Sequence, residues 1–201
     1  MVSRKDLDKK FALISVYNKN KLGYLCRNLK KNNFNFISTG STGNKIRKLG
    51  YKCIDIFNIT NSKEMFDGRV KTLNPLIYSS ILYIRDNEKH KKQFQLLKIP
   101  KIDIVVVNLY PFQKYLEINN KEKVIEMIDI GGPSLIRAAS KNFKYITSIA
   151  DVDDYKKLIN NLDKNEGVTD IYFRKKMAAK TFKITSLYDN KIYTWLNDKK
   201  K

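Results

Sequence analysis

The chain has 201 residues, of which 42% are hydrophobic and 11% aromatic, values typical of one globular domain rather than a disordered chain. Its formal net charge of +20 raises the question of a nucleic-acid ligand. The basic residues are mostly lysines spread along the whole chain, whereas a nucleic-acid-binding protein concentrates them on one face. We therefore expect a solvated basic surface and no specific nucleic-acid partner.

Histidine and cysteine usage excludes several kinds of site. His90 is the only histidine and lies in a charged run, where we expect it to be solvated, so serine–histidine or cysteine–histidine catalysis and a histidine-bound zinc are excluded. Cys26 and Cys53 lack partners at metal-ligand spacing and are expected to be reduced, unreactive thiols. Because no apolar run reaches the length of a membrane span and the first residues lack the apolar stretch of a secretory signal, we predict a cytoplasmic protein with no membrane partner.

Short apolar runs alternate with helical patterns along the chain. The clearest strand covers residues 102–107, which are almost continuously apolar and β-branched, as in a parallel strand buried on both faces. Residues 169–196 predict one long helix or a helix pair, and Asp151 is expected to cap the helix before it. The other predicted strands are residues 12–16, 34–38, 53–56, 80–84 and 145–149.

Strands separated by helix-length segments predict an α/β fold, in which a parallel sheet carries helices on both faces. Ligands of such folds bind outside the carboxyl ends of the strands, so the residues after each strand are the candidates for a site. We see no internal repeat or low-complexity linker, and residues 1–201 are predicted to form a single domain.

The second strand is followed by S-T-G-S-T-G at residues 38–43, which leads directly into a helix. Small residues let the backbone approach a ligand, and the N-terminus of a helix favours an anion. The pattern is that of a phosphate site, and an ordinary polar turn with a Ser/Thr cap explains it equally well.

A second segment, D-G-R-V-K-T-L-N-P at residues 67–75, brings a guanidinium, an ammonium and a hydroxyl close together. Arg69 and Lys71 project the same way from an extended segment, and such a pair suits a phosphate or a developing oxyanion. A solvated basic loop is the alternative for this segment taken alone.

Two further segments follow the strand at residues 102–107. Asn108 and Tyr110 come directly after it, where ligands bind, with a polar turn as the alternative. Further along, I-D-I-G-G-P-S opens a helix at residues 128–134, so that Asp129 precedes an anion-friendly N-terminus. Arg137 and Lys141, four residues apart, share one face of that helix.

Together with the closing M-A-A-K-T-F at residues 177–182, these motifs resemble the cyclohydrolase half of the bifunctional purine biosynthesis protein family. Five collinear motifs carry the resemblance, which runs from about residue 11 to residue 197. It implies a methylglyoxal-synthase-like α/β fold: a parallel sheet with a mixed edge, helices on both faces and a helical C-terminal segment. It also implies a homodimer. The formyltransferase half of that family is not covered, and we expect it to be absent from residues 1–201.

The resemblance further implies IMP cyclohydrolase activity, in which formyl-AICAR (5-formamidoimidazole-4-carboxamide ribonucleotide) is cyclised to IMP with loss of water and without a metal or cofactor. Both lysines of the site would stabilise oxygen and donate protons, the aspartate would manage the proton of the carboxamide, and the tyrosine would donate a hydrogen bond or relay a proton. These catalytic residues fall on Lys71, Tyr110, Asp129 and Lys141. The substrate-binding residues fall on Ser15, Val16, Lys19, Thr39, Gly40, Ser41, Thr42, Arg69 and Thr72, with Asn108, Ile130 and Gly131.

The sequence departs from the family at three positions of the site's rim. Asn74 and Phe143 stand where the family has histidine, and Ser41 stands where glycine is usual. A methylglyoxal-synthase-like domain can also be a lyase or a regulatory phosphate-binding module, and charge alone fits a nucleic-acid-binding protein. The long C-terminal helical segment and the D-I-G-G-P turn argue against the first alternative, and the scattered lysines argue against the second.

Overall fold

The computed structural model describes residues 9–62, 66, 72–117 and 120–198. Within these residues, five parallel strands form one sheet in the order β3-β2-β1-β4-β5. The strands are β1 (Lys10–Val16), β2 (Phe34–Ser38), β3 (Cys53–Asp55), β4 (Ile102–Asn108) and β5 (Thr147–Ile149).

Helices connect the strands. The first five are α1 (Leu22–Lys31), α2 (Gly40–Lys48), α3 (Phe57–Thr60), α4 (Pro75–Leu82) and α5 (Glu88–Leu97). The next five are α6 (Phe112–Tyr115), α7 (Lys121–Glu126), α8 (Gly131–Lys141), α9 (Tyr155–Lys164) and α10 (Ile171–Leu196), with a short 3-10 helix (Val152–Asp154) before α9.

The core lies in two layers, one on each face of the sheet. Along β1, Ala12 and Ile14 pack against the layer that contains α1 and α9. Phe11 and Leu13 point the opposite way, into the layer that contains α4 and α8. Burial on both faces explains why β1 and β4 consist almost entirely of apolar residues. The predicted α/β architecture, with helices on both faces, is confirmed.

The sheet differs from expectation at its edges. The pairings of β3 with β2 and of β5 with β4 are both parallel, so the described residues contain no antiparallel strand and the expected mixed edge is not found. Both edge strands are reached through helices, and such crossovers return the chain in the same direction.

The strand predicted at residues 80–84 is wrong, because residues 80–82 are the end of α4 and residues 83 and 84 form neither a helix nor a strand. Asn74 caps the helix by accepting a hydrogen bond from the N–H of Leu76 (2.9 Å), and Pro75 occupies the first turn, where its missing N–H costs nothing. Ile77 and Ile81, four residues apart, are both buried against the sheet. A short apolar run fits a buried helix and a buried strand equally well, and here the cap decides between them.

The other predicted elements agree with the structure. Within residues 169–196, Ile171–Leu196 form one helix, α10, which Asp170 caps by accepting a hydrogen bond from the N–H of Phe173 (2.7 Å). Asp151 accepts from the N–H of Asp153 (3.0 Å) and so caps the 3-10 helix that leads into α9. None of the helices in the described ranges combines the length and the hydropathy that a membrane span needs.

His90 is not the solvated residue that the sequence predicts. It is half-buried in α5, where its Nδ1 accepts a hydrogen bond from the N–H of Ile84 (3.0 Å) and its ring lines a groove of about 600 Å³ between α4 and α5. The two cysteines are free thiols, as expected. Burial raises the pKa of Cys26 to about 12 and that of Cys53 to about 11, so neither is a nucleophile at neutral pH.

Candidate active site

The sheet has its switch point between β1 and β4. The chain continues from β1 to β2 and β3 on one side and reaches β4 and β5 on the other, so a crevice opens outside the carboxyl ends of β1 and β4. Val16, at the end of β1, lies in register with Asn108, at the end of β4. Two more predicted site residues lie nearby: Ser15 is the next-to-last residue of β1, and Lys19 follows the end of this strand by three residues.

Asn108 holds the loop after β1 against the end of β4. The N–H of Asn18 donates to Oδ1 of Asn108 (2.8 Å), and Nδ2 of Asn108 donates to the carbonyl of Asn18 (3.0 Å). Nζ of Lys19 donates to the carbonyl oxygens of Val16 and Tyr17 (both 3.4 Å), so its ammonium folds over the same loop. Asn108 therefore shapes the crevice by fixing a loop.

The turn after β2 borders the same end of β1. Oγ1 of Thr42 donates to the carbonyl of Val16 (3.0 Å) and accepts from its N–H (3.2 Å). Thr39 occupies the N-cap of α2, and its hydroxyl oxygen is buried without a partner among the described residues. Gly40 has a φ of 52°, which glycine adopts without strain. The N-terminal N–H groups of α2, with the hydroxyls of Thr39 and Ser41, are suited to an anion.

Asp129 lies immediately before α8. Its Oδ1 accepts a hydrogen bond from the N–H of Gly132 (2.8 Å), and its own N–H donates to the hydroxyl oxygen of Tyr188 in α10 (2.8 Å). Burial raises the pKa of the Asp129 carboxyl above its ordinary value, and the Gly132 hydrogen bond offsets part of this rise. The site thus contains a carboxylate that accepts a proton more readily than a solvated aspartate does.

Thr72 meets the start of α8. A Cβ added to Gly131 would lie only 2.9 Å from Oγ1 of Thr72, so this glycine allows the two segments to approach each other. Ile130, just before Gly131, is 60% exposed. Thr72 directly follows Lys71 in the sequence, while Arg69 and Lys71 lie outside the described residues.

Tyr110 follows β4 and is 39% exposed at the mouth of the crevice. Its ring lies 5.0 Å from that of Tyr17, measured between centroids. The hydroxyl of Tyr17 accepts a hydrogen bond from the hydroxyl of Tyr115 in α6 (3.3 Å). An aromatic cluster, Tyr17, Tyr110 and Tyr115, therefore covers the end of β1.

Lys141 does not join this site within one chain. It is the last residue of the eleven-residue helix α8, so a rise of 1.5 Å per residue places its backbone about 15 Å along the axis from Gly131, which Asp129 precedes by two residues. Arg137, on the same helix face, instead packs on α10: its guanidinium lies 5.3 Å from the centre of the Phe182 ring and donates to Thr185 (3.4 Å).

Sequence reasoning did not single out three tyrosines near the site. Tyr17 directly follows β1, so the rule that selected Asn108 and Tyr110 after β4 would also have found it. Tyr115 and Tyr188 are brought to the site by α6 and α10, and nothing in their local sequence indicates this.

The fold and the crevice define a doubly wound α/β domain with an anion-friendly helix N-terminus beside its switch point. Residues 21–134, more than half of the chain, match the MGS-like domain family, and the chain belongs to that family. Residues 139–201 match a second family model, the AICARFT/IMPCHase bienzyme.

Two curated relatives are called bifunctional purine biosynthesis protein PurH. The one from Clostridium botulinum is 47% identical over 188 residues, which cover 93% of this chain and 38% of that protein. The one from Caldicellulosiruptor saccharolyticus is 45% identical over 188 residues, which cover 92% of this chain and 36% of that protein. This chain therefore spans less than two fifths of the length of these relatives.

A solved structure has the same fold. The crystal structure of ForH matches this chain with a TM-score of 0.82 and 27% sequence identity. The match covers 92% of this chain and 98% of the ForH chain, so the similarity includes both the sheet and the C-terminal helical segment.

Proposed function

We propose that this chain cyclises formyl-AICAR to IMP with loss of water. The observation that carries the proposal is the meeting of separate sequence motifs at one edge of the sheet. Thr42 is bonded to the end of β1, Thr72 lies against Gly131, and the carboxylate of Asp129 lies at the start of the same helix. Binding groups and a candidate proton acceptor therefore share one region, as a nucleotide-modifying enzyme requires.

The phosphate of the nucleotide would bind at the N-terminus of α2. The N-terminal N–H groups and the helix dipole favour a dianion there, and the buried hydroxyl of Thr39, which has no partner within the described part of the chain, supplies one more donor. Gly40, Ser41 and Thr42 complete this turn. Arg69 would add a guanidinium, which can donate two parallel hydrogen bonds to a phosphate. Ser15, Val16 and Lys19 would contact the nucleotide from the end of β1.

Ring closure requires the carboxamide nitrogen to attack the formyl carbon of the same molecule. Because the step is intramolecular, positioning alone can supply a large part of the acceleration. Asp129, whose pKa is raised by burial, would accept the proton that the carboxamide nitrogen loses. Lys71 and Lys141 would stabilise the oxygen of the carbinolamine and protonate it as water leaves, with Tyr110 as a further donor or relay.

The proposal includes a homodimer. Since Lys141 lies at the far end of α8 from Asp129, its ammonium can serve this site only if it comes from a second copy of the chain. A symmetric dimer would then contain two equivalent sites, each built from both copies. Neither Cys26 nor Cys53 forms a disulfide, which fits the cytoplasmic location that we propose.

We predict that the purified chain converts formyl-AICAR to IMP without folate and in the presence of a metal chelator. The reaction is followed by ultraviolet absorbance, because closing the second ring of the purine changes the chromophore of the nucleotide. Gly23→Ala is the matched control, since an added Cβ there meets Leu49 at an ordinary 3.7 Å, and this variant should keep full activity. Folded protein that leaves formyl-AICAR unchanged would contradict the proposal.

A further inference from the structure

The backbone of Tyr17 is fixed on both sides. Before it, the backbone N–H and C=O of Val16 both hydrogen-bond to the hydroxyl of Thr42. After it, the backbone N–H and C=O of Asn18 both hydrogen-bond to the side-chain amide of Asn108. These four hydrogen bonds restrain a residue that is 43% exposed and would otherwise lie in an ordinary loop.

The side chain of Tyr17 is restrained as well. Its ring packs on Tyr110 with the centroids 5.0 Å apart and the planes at 50°, and its hydroxyl accepts from Tyr115 at 3.3 Å. This hydrogen bond raises the pKa of Tyr115 to about 12, as expected for a hydroxyl that donates its proton to a neighbour. Three segments of the chain, the loop after β1, the loop after β4 and helix α6, therefore meet through these rings.

Tyr110 depends on this arrangement. Among the described residues, the Tyr17 ring is its one aromatic contact, and an exposed tyrosine without such a contact populates several rotamers. A displacement of about 1 Å at a reacting group can lower a rate a hundredfold. The ring that fixes Tyr110 therefore matters even if it never touches the substrate.

We propose that Tyr17 is a positioning residue that acts through Tyr110: its ring holds the Tyr110 ring at the mouth of the crevice, and the hydroxyl of Tyr115 holds Tyr17. The inference rests on the proposed function, in which Tyr110 donates a hydrogen bond or relays a proton. It assigns a role to two further residues, Tyr17 and Tyr115. It also explains why four hydrogen bonds hold the loop that contains Tyr17.

The test compares steady-state kinetics of Tyr17→Ala, Tyr17→Phe and Tyr115→Phe with the matched control Tyr24→Ala, a tyrosine of similar exposure on α1. Tyr17→Ala should lower kcat about tenfold and change KM by less than about threefold, because the phosphate is bound elsewhere. Tyr17→Phe and Tyr115→Phe keep both rings but remove the hydrogen bond that holds Tyr17, so each should have a kcat below that of the wild type and above that of Tyr17→Ala. Tyr24→Ala should match the wild type, and thermal unfolding should show that every variant is folded.

A double-mutant cycle decides whether Tyr17 acts through Tyr110. In a Tyr110→Ala background, adding Tyr17→Ala should lower kcat by less than about twofold, since the positioned group is already gone. An active wild type with an unchanged Tyr17→Ala, or a tenfold loss that persists in the Tyr110→Ala background, overturns the inference alone. An inactive, folded wild type instead overturns the proposed function on which it rests.

Discussion

Asp129 shows how one residue acquires a chemical property from its surroundings. Among the described residues its carboxylate accepts one N–H donor, from Gly132, and it is only partly exposed, so burial outweighs the hydrogen bond and the pKa rises. A carboxyl that must be ionised to accept a proton then limits the rate at acidic pH. We predict that kcat decreases as the pH is lowered below this raised pKa. In a plot of kcat against pH, the apparent pKa of the acidic limb should lie above the ordinary aspartate value.

Asp129→Asn is the variant that checks this assignment. It should lower kcat and abolish the acidic limb, because the asparagine amide neither titrates in this range nor accepts the proton. The same group affects stability: a carboxyl whose pKa is higher in the folded state stabilises the fold at low pH and loses that contribution as pH rises through the folded-state pKa. As the pH rises from the ordinary aspartate pKa through the folded-state pKa of Asp129, the free energy of unfolding of the wild type should therefore fall relative to that of Asp129→Asn. Identical pH profiles for kcat in both proteins would contradict the role.

At the scale of residues, the sequence predicts which groups follow the strands but not what they contact. Thr42 and Thr72 were named from the family resemblance and Asp129 also from its motif. The structure places Thr42 against the end of β1, and Thr72 and Asp129 at the start of α8. Asn108 was selected as a ligand-binding residue, yet both polar groups of its amide bond to Asn18. Which partner a polar side chain takes depends on distances across the fold, and no local pattern carries them.

Helix α8 is the element on which the site depends. Its first turn contains two glycines without Cβ atoms, and a Cβ at Gly132 would lie 2.4 Å from Oδ2 of Asp129. We predict that Gly132→Ala displaces the Asp129 carboxylate, breaks its hydrogen bond to the Gly132 N–H and lowers kcat at least about tenfold, since catalytic groups tolerate little displacement. The measurement is kcat of formyl-AICAR cyclisation together with the unfolding temperature.

The control for this element is a glycine in another helix. At Gly23 in α1 an added Cβ has ordinary contacts only, and alanine is the better helix former by about 1 kcal/mol, so Gly23→Ala should unfold at the same or a slightly higher temperature with unchanged kcat. If Gly132→Ala behaves like Gly23→Ala, the start of α8 does not position Asp129.

Elements were predictable where the sequence pattern was long or strongly buried. Helix α10 was predicted because its apolar residues recur at helical spacing, and strand β4 because its apolar run is almost unbroken. Residues 80–84 were assigned to a strand because five apolar or small residues carry no period of their own. The helix there is set by the Asn74 cap and by packing of Ile77 and Ile81 on the sheet.

At the scale of the whole molecule, the distribution of charge does not locate a site, whereas the architecture does. The net charge of +20 is spread over many elements, as in the last turns of α1 and α2 and along α5, and no single described element concentrates it. A scattered positive charge of this kind supplies only the electrostatic, sequence-independent part of an attraction to polyanions. The architecture instead determines which groups lie at the carboxyl edge of the sheet. Because α8 runs away from this edge, Asp129 before its start is separated from Lys141 at its end.

The last prediction follows from that separation. Lys71→Ala and Lys141→Ala should each lower kcat at least about a hundredfold, the usual cost of losing one oxyanion donor. If each site takes Lys141 from the second copy, equal mixing of the two variants makes half of the dimers hybrid. Each hybrid contains one site with both lysines and one with neither, so the mixture should regain about a quarter of the wild-type activity.

The matched control mixes Lys71→Ala with Asp129→Asn. Under the proposal, Lys71 and Asp129 come from the same copy, so each site in a hybrid dimer lacks one of them and activity should stay as low as in the separate variants. Sedimentation equilibrium would check that every variant is a dimer, and exchange of subunits would be followed by mixing tagged and untagged chains. A mixture of Lys71→Ala and Lys141→Ala that exchanges subunits but regains no activity would show that Lys141 is not shared between copies.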